Sequence, residues 1–171
     1  MPTFISLART EDGNGAFVLA EDPFTAVADD QAIPPGDVIV SLTRFQAEGE
    51  SLLGEGRQVG VRLESDEEIE ALAYDLPEIA VVALAFPKFG DGRAYTSARL
   101  LRERFQYKGE VRAVGDVLRE QAGYMVRCGF DAFEPADGST VEAWERATHR
   151  FRHVYQRASD GRPAAYEARG G

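Results

Sequence analysis

Residues 79–105, IAVVALAFPKFGDGRAYTSARLLRERF, decide the fold. The first seven, IAVVALA, are a short apolar run with no alternation, the pattern of a strand buried on both faces. The next twelve, FPKFGDGRAYTS, form a polar loop broken by glycine. The rest, ARLLRERF from Ala98 to Phe105, has helical spacing. A strand, a glycine-containing loop and a helix start, in that order, form the junction at which parallel α/β sheets bind ligands.

The same alternation extends in both directions. VIVSL at 38–42 reads as a strand, and 45–53 as a helix weakened by Gly49. QVGVRL at 58–63 is the next strand. SDEE at 65–68 matches a capping box, opening a helix to about Tyr74 that buries Ile69 and Leu72 and ends before Pro77. Downstream, EVRAVG at 110–115 is a strand. Asp116 has the chemistry of an N-cap for a helix through Cys128, with Leu118, Ala122, Met125 and Val126 at helical spacing and Gly129 as its left-handed stop. FDAFE at 130–134 is the last strand. STVE at 139–142 is a second capping box, expected to open the longest helix, to about Arg157, striped by Val141, Trp144, Thr148, Phe151 and Tyr155.

Residues 36–158 are therefore expected to form one α/β domain of repeated βα units: a mainly parallel five-stranded sheet, either open and doubly wound or curled into a partial, half TIM-like barrel. Residues 1–35 read as a small β-hairpin appendage, with FISL and AFVLA flanking the turn residues EDGNG at 11–15 and with IPPGD at 33–37 as hinge. Residues 159–171, rich in Gly, Pro and Ala, read as a flexible tail. An open apolar edge on such a sheet invites homodimerisation.

A net charge of −10 argues against a nucleic-acid or anionic-membrane partner, because both require clustered positive surface. No apolar run approaches membrane-spanning length, and the N-terminus lacks a secretory pattern, so a cytoplasmic location is expected. Cys128 is the single cysteine. It forms no internal disulfide, reads as an inert buried thiol, and cannot supply the thiolates of an iron–sulfur cluster. His149 and His153 share a helix face, but Arg150 and Arg152 beside them repel a cation, so no metal site is expected.

Parallel strands gather the residues at their carboxyl ends on one rim. That rim is expected to collect Thr43 and Arg44, Glu64, Lys88, Asp91 and Arg93, Asp116 and Glu134. Lys88 and Arg93 lie in the loop formed with Gly90, Asp91 and Gly92, a cradle for a small anion. Tyr95, Ser97 and Arg44 are further candidate anion ligands, and Asp116 or Glu134 would act as acid or base. Gly90-Asp-Gly-Arg-Ala-Tyr95 fails as a dinucleotide fingerprint. Tyr95 stands at the third glycine position, and no acidic residue ends the following strand, so a nicotinamide cofactor is not expected. No other cofactor is evident.

The runs FPKFGDGRAYTSARLLRERF (86–105), KGEVRAVGDVLREQ (108–121) and RCGFDAFE (127–134) closely resemble a bacterial family known as domain of unknown function 934. Its members are labelled as oxidoreductases of sulfite reduction. The resemblance implies an oxidoreductase, or an accessory protein of assimilatory sulfite and sulfate reduction, with the sulfite reductase machinery as partner. Reducing sulfite takes six electrons and haem or iron–sulfur chemistry, so the cluster belongs on that partner. Two other functions fit the same residues: a small metabolic enzyme on a partial barrel acting on a phosphorylated or carboxylated substrate, and a ligand-free interaction module that docks on the reductase.

Overall fold

The structure, a computed structural model, describes residues 3–9, 15–88, 90–150 and 154–168. It is an α/β fold built on a curled, half-barrel mixed sheet of eight strands in the order β2-β1-β8-β7-β6-β5-β4-β3. The strands are β1 (Thr3–Arg9), β2 (Gly15–Glu21), β3 (Phe24–Ala26), β4 (Asp37–Ser41), β5 (Val59–Leu63), β6 (Ile79–Phe86), β7 (Glu110–Gly115) and β8 (Ala132–Phe133). Those from β3 to β8 run parallel, and β1 lies antiparallel to both β2 and β8. The expected parallel run is present, but the expected five-stranded sheet is corrected to eight mixed strands. Phe24–Ala26 extends one end of the run and the hairpin extends the other, with Ile5 beside Phe133.

The helices follow burial more closely than propensity. α1 (Leu42–Gly54) forms despite Gly49, because Ser41 caps it, accepting from the Arg44 amide, and because Leu42, Phe45 and Leu52 are buried. α2 (Arg93–Arg99) continues into a π-turn at Leu100–Arg104. α3 is Ala122–Cys128, ended by Gly129 at φ 107°, the left-handed stop that glycine allows. α4 is Val141–Thr148 and α5 is Ala165–Ala168.

Three expected caps are corrected. The first capping box opens only a 3₁₀ turn, Ile69–Leu72, with no side-chain cap, because the Ser65 hydroxyl is used elsewhere. Asp116 does not start α3. Gly115 turns at φ 90°, and the Asp116 amide donates to the Phe86 carbonyl at 2.7 Å. A Cβ at Gly115 would lie 2.5 Å from that carbonyl oxygen, so the turn demands glycine. In the second box the N-cap is Thr140, while the Ser139 hydroxyl accepts from the Trp144 indole. α4 ends at Thr148 rather than near Arg157. Tyr155 is exposed, and Phe151, like His153, lies outside the described residues.

The sheet separates two apolar layers. On one face Val82, Leu84 and Phe86 pack under the helices with Ala98, Leu101, Met125 and Trp144. On the other, Phe24, Ile39, Val81, Ala83, Ala85 and Val114 pack together with no helical residue among them, yet all are buried. Burial without a covering helix is what curling produces. The connectivity enforces the curl. β2 and β3 are opposite edges of the sheet, but only Asp22 and Pro23 join them, so Glu21 and Phe24 cannot be more than about 11 Å apart.

Arg112 fixes this corner from inside. It is fully buried in β7 and alternates with Val114 on the helix-free face. Its guanidinium donates to Asp22 at 2.5 and 3.2 Å, to Glu110 at 2.7 Å and to Glu134 at 3.2 Å, and it lies 4.3 Å from the centre of the Phe4 ring. Burial disfavours its charge, but Asp22 and Glu110 outweigh that and hold its pKa above the usual arginine value. Arg112→Met leaves those carboxylates unpaired inside the curl. We expect a loss of about 3–5 kcal/mol in urea denaturation, as for other buried charges deprived of a partner. Arg104→Met, at the exposed pair with Glu70, is expected to lose less than about 1 kcal/mol.

Candidate functional site

The carboxyl ends of β5 and β6 are joined by one side chain. After Phe86 the chain turns, with the Asp91 amide donating to the Lys88 carbonyl at 3.0 Å. The Asp91 carboxylate accepts from the Arg93 backbone amide at 3.2 Å, from its Nε at 3.1 Å and from its Nη2 at 2.7 Å. The same Nη2 reaches across to the Ser65 hydroxyl beyond β5, at 2.8 Å. Asp66 adds a further negative charge near the guanidinium. The hydrogen bonds from Arg93 hold the Asp91 carboxyl well below the usual carboxylate range, and Asp91 in turn raises the pKa of Arg93. Lys88 is exposed, and no side-chain ion pair to it occurs among the described residues. Gly90 and Gly92 flank Asp91, and Gly92 stands immediately before α2.

The other candidates divide into separate groups. Tyr95 belongs to an aromatic seam between α2 and α3, with ring centres 5.1 Å from Phe86, 4.7 Å from Tyr124 and 6.4 Å from Phe130. Burial, aided by Cys128 and Tyr124, pushes its pKa up to about 12 against the opposing hydrogen bond from Gln121. Ser97 is half-buried further along α2. Arg44 holds the loop after β3: its Nη1 donates to the carbonyls of Ala28 and Gln31, both at 2.7 Å, beside a Ser41–Asp29 hydrogen bond of 2.6 Å. Glu134 is half-buried and accepts from the buried Arg112. Asp116 is half-buried where β6 and β7 are joined.

The rim thus brings Lys88, Asp91 and Arg93 together and adds Ser65. It commits Arg44 to a loop and Glu134 to the buried Arg112. Ser65 was missed because its position favoured a cap. Arg112 did carry a signal in the sequence, since a charge within a buried strand requires a partner. That partner, Asp22, is ninety positions away.

Cys128 is buried, and burial raises its thiol pKa. The His149 ring lies 2.9 Å from the Glu145 carbonyl. Among the described residues no group of three or more His, Cys, Asp or Glu side chains is placed to hold a metal, and no helix is long and apolar enough to cross a membrane. Two open clefts lie away from the rim. One, of about 420 Å³, is lined by Arg102, Tyr107, Lys108 and Asp131. The other, of about 560 Å³, lies between α1 and the Asp75–Glu78 turn.

The family model described as "Bacterial protein of unknown function (DUF934)" matches residues 60–166, more than half of the chain. The chain belongs to this family. No curated protein matches it. In this DUF934 chain the matched span contains Ser65, Lys88, Asp91, Arg93 and Arg112, whereas Arg44 and Asp22 precede it.

If Arg93 is what keeps the Asp91 carboxyl ionised, Arg93→Ala returns its titration toward the ordinary carboxylate range. Carboxyl-detected NMR titration checks this, with the midpoint expected to rise. The sign follows from the lowered pKa. The wild-type contact adds stability above the ordinary carboxylate pKa, and that stability is lost as pH falls through the depressed value.

Proposed function

We propose that this protein is an accessory protein of assimilatory sulfite reduction that binds a small oxyanion at the rim above β5 and β6. The observation that carries the oxyanion site is the Arg93 guanidinium, which spans two adjacent strand ends with Ser65 on one side and Asp91 on the other. The link to sulfite comes from the family resemblance in residues 86–134.

In this reading Asp91 holds the guanidinium in the geometry an anion needs. Nε and Nη2 of Arg93 are engaged, while Nη1 has no acceptor among the described residues, and Lys88 lies exposed in the same loop. A sulfur oxyanion has several acceptor oxygens and suits a fork of this kind. The electrons and the cluster or haem would come from the reductase.

Calorimetry with sulfite, sulfate and inorganic phosphate tests the site. The double variant Lys88→Ala, Arg93→Ala is expected to weaken sulfite binding at least tenfold, about 1.4 kcal/mol. Asp91→Asn, which keeps an acceptor oxygen for Arg93 but removes the negative charge beside the anion, is expected to tighten it. Unchanged affinity in the double variant removes the rim from the reading. A thermal shift with phosphorylated metabolites, and none with sulfite, replaces the reading with a metabolic enzyme. Growth of a deletion strain on cysteine but not on sulfite places the protein at the reduction step, and growth on sulfate, sulfite and cysteine alike removes it from sulfur metabolism.

A further inference from the structure

β2 has one paired edge. The Leu7 amide donates to the Asp131 carbonyl, toward β8. In an extended strand, neighbouring residues direct their backbone groups to opposite sides. The even-numbered residues of β1 therefore serve β2, pairing Phe4 with Ala20, Ser6 with Val18 and Ala8 with Ala16. That leaves Gly15, Phe17, Leu19 and Glu21 with amides and carbonyls turned to the opposite edge. Among the described residues no hydrogen bond reaches that edge. The strand is GAFVLAE, without proline and uncharged until Glu21, and Val18 and Leu19 are 43% and 64% exposed. None of the usual devices that protect an open edge is present within it.

We propose that this edge pairs, antiparallel, with the same edge of a second copy, about a two-fold axis at Val18. In that register Phe17 lies opposite Leu19 of the second copy and Gly15 opposite Glu21, so every outward-facing amide and carbonyl gains a partner. Val18 meets its own counterpart at a site without backbone hydrogen bonds, where side chains approach most closely. Charge selects the direction. Parallel pairing sets Glu21 against Glu21. Antiparallel pairing sets it against Gly15 and keeps the two carboxylates at opposite ends of the paired strands. The pairing is isologous and closes at two copies.

Sedimentation velocity of the full chain tests this. The wild type is expected to sediment at twice the 18.7 kDa chain mass, and Leu19→Lys at the single mass with an unchanged circular dichroism spectrum. Val18→Cys tests the register without relying on the lysine variant. Cα atoms about 4.5 Å apart at the facing pair fall within disulfide reach, and Cys128 is buried. Mild oxidation is expected to give a covalent dimer with Val18→Cys and little with Leu19→Cys. A monomeric wild type, an unchanged mass in Leu19→Lys, or a Val18→Cys protein that stays uncrosslinked while still dimeric each overturns the proposal.

Discussion

The Arg112 guanidinium reaches from the middle of β7 to Asp22, the point where the chain passes between two edge strands that no backbone ladder joins among the described residues. β2 and β3 bound the sheet on opposite sides, and the chain crosses between them at Asp22. An eight-stranded sheet without such a link could lie open. Here the crossing residue is tied to the middle of β7, and the small side chains Ala83 and Ala85 line the space beneath. A buried guanidinium is unfavourable alone and equally unfavourable to leave half-paired, so the arrangement tolerates little displacement of the first strands.

That curl explains why the rim is not one site. A flatter sheet would set the five strand ends along one crevice. In this fold Glu134 is drawn toward Arg112, and Arg44 is spent on the carbonyls of the loop that follows β3. What stays exposed is the cationic pair in the loop after the central strand, with Ser65 from its neighbour. The interior cluster and the rim carry similar residue types, but their environments differ. Arg112 is fully enclosed, whereas the Arg93 side chain is 60% exposed. An exposed guanidinium can take an anion beside its carboxylate, and an enclosed one cannot do so without opening the fold.

The sequence was most legible where burial is continuous. IAVVALAF and EVRAVG read as strands because no other element accounts for short, breaker-bounded apolar runs, and both are strands. The caps were less legible. Ser65 and Asp116 have capping chemistry, but a hydroxyl near a guanidinium and an amide next to a left-handed glycine found other partners. The placement of the hairpin left no local trace, because Ile5 and Phe133 meet only in the folded chain. Of the site, the adjacency of Lys88, Asp91 and Arg93 was visible from spacing alone. The departure of Arg44 and Glu134 depended on the curl, and so on Asp22.

The pairing of β1 with β8 also bears on the order in which the molecule assembles. β1, Thr3–Arg9, is made well before the strand it must lie against, Ala132–Phe133. Until then the hairpin has neither its sheet neighbour nor the arginine that secures its far end. Contacts so distant along the chain slow the search for the native state, since a long loop must close before they contribute. The growing chain therefore carries a small apolar ribbon in waiting, exposed until β8 is made.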